Sequence, residues 1–545
     1  MKKIILAAII LLAFILRFYR LGDYPALNAD EAAIGYNAYS LIQTGMDEHG
    51  NPWPIHFQSF NDYKPGLYFY VVLPFVKFFG LNVWSVRIPG AALGVLTVII
   101  LYFLIKELFD DERLALASSF FLAINPWHIH FSRGGWEVNT ATFLMVLGLW
   151  LFLKGLRNPK YYALAAVAFV LSLYTYHAAR IVIPLLGIGL LVIYRKVIQR
   201  NIKALVFAAI LGIVLLLPLA RDLTGTAVLS RAAGVGLFAD PGPLARINEQ
   251  RGEHGDFNSL VAKVYHNKAV NYGLAFLQNW AKHFDGEFLF MTGDSVQRNK
   301  VPETGQMYLF DILFLVVGLV AIARKPKGWG IIFLWLIIAP LASALTFQSP
   351  SALRAQNMVI SLVIISAFGL VTILDWLKKV LHQRHILYTA HFILILLVSW
   401  NFARYLHMYY VHMAKEYPFS SQYGVKELVS YVEANQTKYQ KVIISDRYDQ
   451  PYILFLFYGV DGYSMMYPPA QFQKEQALTP RDKYGFSTVR NFGKYYFEPI
   501  NFGKIQPESP NSLIIGTSEE IPKEANIVKK IYGENGYLYF EAVAN

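Results

Sequence analysis

Asp30 and Glu31 are adjacent carboxylates in Asn28-Ala29-Asp30-Glu31-Ala32-Ala33-Ile34-Gly35-Tyr36-Asn37, directly after the first apolar segment of the chain. Acids at the mouth of a membrane helix are expensive unless they face water or a substrate. Further along, Tyr63-Lys64-Pro65-Gly66 supplies a cation beside a helix-starting proline. A carboxylate can take the proton of an incoming hydroxyl, and a cation can meet the charge that grows on a departing phosphate. These residue types suit group transfer on a lipid-linked substrate at one membrane face.

More cations stand where membrane topology predicts few. Arg87 lies in Val86-Arg87-Ile88-Pro89, Arg133 closes Asn125-Pro126-Trp127-His128-Ile129-His130-Phe131-Ser132-Arg133, and Arg180, Arg298 and Arg354 stand at later helix ends. Guanidinium binds phosphate bidentately and ammonium binds it as a point charge, so Lys64, Arg87, Arg133, Arg180, Arg298 and Arg354 are the expected phosphate ligands. A single arginine at a helix end can also snorkel to lipid headgroups. Tyr36, Tyr63, His128, His130 and Glu137 are expected to contact substrate. His128 and His130 are two residues apart and share no helix face, so no metal site is expected there. Trp127 and Trp136 read as interfacial belt residues, and Asp47, Glu48 and Asp62 as solvated loop charges.

The elements that must hold these groups are membrane helices. The chain has 545 residues, 55% hydrophobic and only 16% charged, too little charge for a soluble protein of this length. It has no cysteine, which excludes disulfides and thiolate metal sites. The net charge of +12 lies largely in short loops between apolar runs, as topology signals do, and does not point to nucleic acid. Apolar runs near 4–19, 86–107, 114–130, 138–156, 161–178, 181–195, 204–220, 307–323, 329–346, 353–374 and 386–403 predict about eleven transmembrane helices. Basic loops around 195–203, 324–327 and 378–384 place the N-terminus in the cytoplasm and the C-terminus outside. The first run is expected to be an uncleaved span, because Arg17, Phe18, Tyr19 and Arg20 follow it in place of a small-residue cleavage site.

Residues 20–85 then form a large first external loop. Within it, 66–79 are expected to lie in the interface, and 30–44 form a surface helix with Asp30 at its favourable N-terminal end. Residues 221–305 make a second long loop without clear periodicity. From 405 onward the composition changes. Val442 to Ser445, Ser512 to Ile515 and Tyr537 to Phe540 read as strands, and Gly424 to Glu433 as an amphipathic helix. The expected fold is mostly α: a polytopic catalytic domain over 1–404 and a small external α/β domain over 405–545.

Ala29-Asp30-Glu31, Tyr63-Lys64-Pro65-Gly66, Val86-Arg87-Ile88-Pro89-Gly90-Ala91, His130-Phe131-Ser132-Arg133 and Gly135-Trp136-Glu137-Val138-Asn139 occur in an order that resembles the C-type membrane glycosyltransferases. The resemblance is to the protein O-mannosyltransferases, their bacterial relatives and the lipid A aminoarabinose transferase. It implies an inverting transfer of a monosaccharide from a polyprenyl phosphate to a hydroxyl acceptor on a protein, a glycolipid or a polysaccharide, at the outer face of the cell membrane, with no metal and no other cofactor. Asp30 would be the general base, Glu31 its support and Lys64 the partner of the donor phosphate. Gly66 stands where the family often has a second proline. Two other readings stay open: a metal-dependent oligosaccharyl-type transferase, with Asp240, Asp256, Asp285, Glu287 or Asp294 supplying ligands, and a transporter of polyprenyl-linked sugars. Transporters place polar groups near the bilayer midplane, whereas the unusual charges here gather at helix ends.

Overall fold

The computed structural model describes residues 2–60, 62–223, 234, 236–324, 327–418, 420, 422–448, 450–461, 464–465, 467–480 and 487–545. Lys325 and Pro326 of an expected cytoplasmic turn, and residues 224–233 and 235 of the second expected loop, lie outside these. The chain divides into two compact units.

The helical unit comprises Met1–Arg17, Ala92–Ser132 and Glu137–Leu406. Among the described residues five helices are long and apolar enough to cross a membrane: Val83–Phe109, Glu137–Gly155, Arg195–Asp222, Met358–Val380 and Arg384–Glu416. The other expected spans are helical but shorter. Tyr161–Leu173 and Ala179–Ile193 have 13 and 15 residues, and at 1.5 Å per residue these fall short of a hydrocarbon core about 30 Å thick. The run at 114–130 is divided because Pro126 forces Asn125 into an extended conformation (φ −61°, ψ 130°) and opens a new short helix, Pro126–Ser132. Arg384–Glu416 buries none of its most apolar window, and Phe392, Ile395 and Trp400 stand exposed. Apolar surface of that extent belongs against lipid, which makes this a multi-pass membrane protein. Leu309–Arg324 and Met358–Val380 cross where glycine meets backbone: a Cβ on Gly369 would lie 1.8 Å from the Phe314 carbonyl oxygen. Small residues permit such close helix crossings in membranes.

The expectation of a loop without periodicity over 221–305 is corrected. Gly242–Gly252, Leu260–Tyr265 and Lys268–Ala281 are helices. Ser259 and Asn267 cap the last two by accepting hydrogen bonds from the backbone N–H of Ala262 and Val270.

The second unit comprises Phe18–Ala91, Arg133–Trp136 and His407–Asn545. Its α1 (Ala29–Thr44) opens with a capping box: the Asn28 side chain accepts from Glu31 N–H and the Glu31 carboxylate accepts from Asn28 N–H. The helix ends on Gly45, whose φ of +73° suits glycine. A hairpin, β1 (His56–Ser59) and β2 (Asp62–Pro65), follows, and then the apolar α2 (Leu67–Phe79). Residues 29–44 form a buried helix rather than a surface one, with twelve of sixteen residues inside. They pack on α2 and on Pro451–Tyr458, so closely that a Cβ at Gly35 would lie 2.7 Å from the Phe457 ring.

The C-terminal part carries a seven-stranded sheet built on β3 (Lys441–Ile444), β6 (Ala477–Leu478), β7 (Val489–Phe492), β8 (Tyr495–Phe497), β9 (Ser512–Gly516), β10 (Ile527–Tyr532) and β11 (Leu538–Ala544), in the order β10-β11-β9-β3-β8-β7-β6. A separate pair, β4 (Val460–Asp461) and β5 (Ser464–Met465), lies outside it. β3 is parallel to both neighbours, β8 and β9, while the outer pairs are antiparallel. The helix Val425–Asn435 buries Val425, Leu428, Val429 and Val432 on one face, the periodicity of a helix covering a sheet.

Candidate active site

The two acids at the start of α1 have different surroundings, because neighbouring helical residues do not face the same way. Glu31 is 1% exposed. Arg87 holds it with a bidentate pair, Nε to Oε1 and Nη2 to Oε2, both 2.7 Å. Gly135 N–H donates to Oε1 at 2.8 Å and Asn28 Nδ2 to Oε2 at 3.2 Å. The remaining Arg87 donors go to the carbonyls of Leu21, Pro25 and Ala26. Arg87, expected at a phosphate, therefore has its five N–H groups engaged within the fold. The pair fixes the entry of the chain into α1.

Asp30 is the more open acid. Its carboxylate meets Lys64 Nζ at 2.6 Å, with side-chain exposures of 21% and 13%. Lys64 reaches it from β2, directly opposite Phe57 on the hairpin, and its ammonium lies 5.9 Å from the centroid of the Phe60 ring. Tyr63 precedes it and is half-buried. Tyr36 lies elsewhere, fully buried against Phe472 and Tyr39, which places it in the core rather than at an opening. Arg133 is buried beneath two rings, 5.3 and 5.4 Å from Tyr409 and Tyr410, and donates to the Tyr24 carbonyl at 3.2 Å.

Asp47 and Glu48 are not solvated: both are 0% exposed. Asp47 accepts from His49 N–H, Asn51 N–H and Asn51 Nδ2. Glu48 accepts from Asn37 Nδ2 at 3.1 Å and the Tyr452 hydroxyl at 3.4 Å, and Gln476 Nε2 donates to its backbone carbonyl. Burial pushes the Glu48 carboxyl above its ordinary value. Polar partners more than four hundred positions away explain how loop acids come to be buried.

In the helical unit, Arg298 and Arg354 line one polar cavity of about 70 Å³ together with Asp294, Asn299 and Gln348. Asp294 is buried, accepts from Ala352 N–H (2.6 Å), Val296 N–H (2.8 Å) and Asn299 Nδ2 (3.1 Å), and burial raises its carboxyl. His283 shapes the same loop. Its Nδ1 donates to the Asn279 carbonyl and its Nε2 accepts from Ser351 N–H, so the ring is neutral, and burial lowers its pKa to about 4. His130 Nε2 donates to the Arg298 carbonyl at 2.8 Å. His128 is buried with Nδ1 2.7 Å from Arg17 Nη2, a partner the sequence did not suggest. Arg180 donates to the Leu173 carbonyl and contacts His177, while Glu137 opens the helix Glu137–Gly155. Trp127 is 1% exposed and donates to the Ala352 carbonyl, which makes it a core residue rather than a belt residue. Trp136 is likewise buried. Among the described residues no three His, Asp or Glu side chains gather at metal-ligand spacing.

A family model described as dolichyl-phosphate-mannose-protein mannosyltransferase matches residues 63–220. YkcB of Bacillus subtilis (strain 168), itself only provisionally named a mannosyltransferase, is 31% identical over 109 residues, 20% of this chain and 15% of that protein. An uncharacterised protein of Aquifex aeolicus (strain VF5) is 27% identical over 186 residues, 34% of this chain and 36% of its own length. The chain thus spans well under half of these curated relatives. Over nearly its full length it superposes on ArnT from Cupriavidus metallidurans in the apo state, with a TM-score of 0.54 at 12% identity, covering 98% of this chain and 97% of that one. The fold is that of ArnT. ArnT bound to undecaprenyl phosphate gives a TM-score of 0.53 at 11% identity over the same coverage. Lys64, Arg87, Arg133, His128, His130, Glu137 and Arg180 lie inside the matched family segment, and Asp30 and Glu31 lie before it.

Proposed function

We propose that the protein is an inverting glycosyltransferase that moves a monosaccharide from a polyprenyl-phosphate carrier to a hydroxyl acceptor, with Asp30 as the base. The observation that carries this reading is the 2.6 Å pair of Asp30 and Lys64 at the capped start of α1. Lys64 pairs with the donor phosphate when it binds and so releases Asp30. The Asp30 carboxylate then takes the proton of the acceptor hydroxyl. The acceptor oxygen attacks the anomeric carbon as its bond to the phosphate oxygen breaks, and polyprenyl phosphate leaves with the electron pair. Lys64 stabilises the charge that accumulates on it. Glu31 and Arg87 act by holding α1 in place. In the helical unit, Arg298 and Arg354 are the arginines best placed to hold an anionic group, since they share one cavity. The structure of ArnT with undecaprenyl phosphate supports a carrier of that class. We also propose about eleven membrane crossings, a cytoplasmic N-terminus and an extracytoplasmic C-terminal domain, on the strength of the basic loops.

The purified protein is tested with radiolabelled polyprenyl-phosphate hexoses, with and without EDTA, and the product anomer is read by NMR. Transfer that survives EDTA with inverted configuration is the expected result. Loss of transfer in EDTA would move the assignment to the metal-dependent oligosaccharyl-type reaction. Tight donor binding without turnover would favour a transporter.

A further inference from the structure

β3 sits between two parallel neighbours that the chain reaches in succession, β8 on one side and β9 on the other. Such a reversal of direction opens a crevice beyond the carboxyl ends of the strands, where α/β sheets bind their ligands. A cavity of about 360 Å³ lies at this end of β3. That volume falls within the range of small-molecule sites. Asp446 and Arg447, just past β3, line it with Gln450, Thr488, Tyr452 and Phe497. Arg447 and Thr488 have partners. Arg447 pairs with Glu519 at 2.6 Å, the Thr488 hydroxyl donates to Gln450 Oε1, and Gln450 has a φ of +48°, a conformation L residues rarely adopt without purpose.

The lining combines a carboxylate, a guanidinium, an amide and a hydroxyl with two aromatic rings. Planar groups able to donate and accept in pairs match vicinal hydroxyls, and the buried rings of Tyr452 and Phe497 back the cavity from the core. The cavity also connects to the proposed base through contacts within the same unit. Tyr452 meets Phe60 edge to face at 6.0 Å, Phe60 lies under the Lys64 ammonium, and Lys64 holds Asp30. We infer that this cavity is a saccharide site and that, on the transferase reading above, it holds the acceptor, which makes the acceptor a carbohydrate rather than a polypeptide.

The test uses the full chain in nanodiscs and saturation-transfer NMR with millimolar methyl glycosides of glucose, mannose and galactose, with an N-acetylated threonine amide as the hydroxyl-bearing control. Transfer to at least one glycoside and none to the threonine amide is expected. It should fall at least fivefold in Gln450→Ala and in Thr488→Val, each checked for monodisperse elution, and persist in Asp30→Asn. No transfer to any glycoside, transfer indifferent to both variants, or a signal from the threonine amide alone would overturn the inference. Release of labelled sugar from the donor to water is measured in parallel. The wild type should release sugar, and Asp30→Asn should lose that release. Failure of that second readout falls on the transferase reading and leaves the binding result to judge the cavity.

Discussion

Glu31 and Asp30 are one residue apart, and their environments predict opposite consequences of mutation. Glu31→Gln removes the charge that balances a fully buried arginine. Leaving a buried partner unpaired is expected to destabilise the protein by about 3–5 kcal/mol, read as a lowered melting temperature in detergent with donor turnover falling in parallel. Asp30→Asn should leave the melting temperature close to wild type, since the side chain is partly exposed, while turnover drops by roughly 10²–10⁴, the usual range for loss of a general base. His283 sets a third expectation. Its folded pKa of about 4 lies below the unfolded value of 6.5, so the unfolded state binds the extra proton first between these limits. Stability is therefore complete above pH 6.5 and declines as pH falls toward 4. Thermal unfolding followed across that range should show the decline, and it should flatten in His283→Gln. The sequence disclosed Asp30, Glu31 and Lys64 because their types and order are unusual beside a membrane segment. It could not disclose that Arg87 serves Glu31. A phosphate-seeking arginine and a carboxylate-seeking one look the same until their distances are known.

At the scale of elements, the close crossing at Gly369 is the sharpest constraint. Its Cβ would have to occupy space held by the Phe314 carbonyl, so Gly369→Val must push two helices apart at backbone level. The expected outcome is loss of monodisperse protein after detergent extraction, whereas Gly187→Val, where a Cβ meets nothing within 4 Å, should extract normally. Apolar runs located the long helices well, because span length and hydropathy report on the bilayer directly. The runs at 114–130 and 329–346 each hide an interruption. Pro126 and Pro340 divide them, and a hydropathy window averages over a single proline. The capped helices at 260–281 left signals at Ser259 and Asn267 that the lack of strong apolar periodicity obscured.

At the scale of the molecule, residues 18–91 share one hydrophobic core with the C-terminal sheet. Gln473 donates to the Asp47 carbonyl, Gln476 to the Glu48 carbonyl, and Gln422 Oε1 accepts from Ala29 N–H at the start of α1. A chain ended after Leu406 would leave α1 with an exposed apolar face and Glu48 without Tyr452. Residues 20–85 should then become protease-sensitive and lose amide protection in hydrogen exchange, and full protection in the shortened chain would contradict this account of the unit. No local pattern could reveal the partnership, since the residues that meet are separated by about four hundred positions and only folding brings them together. The change of composition near 405 was legible, but not what the following segment covers.

The central claim is that Asp30 takes the acceptor proton while Glu31 holds the helix that carries it. The most direct test is the rate of labelled-sugar release from polyprenyl-phosphate hexose by wild type and Asp30→Asn, with both proteins shown by thermal unfolding to be equally folded. The account predicts turnover in the wild type and a loss of at least a hundredfold in the variant at unchanged melting temperature. Equal turnover in the two proteins would contradict it.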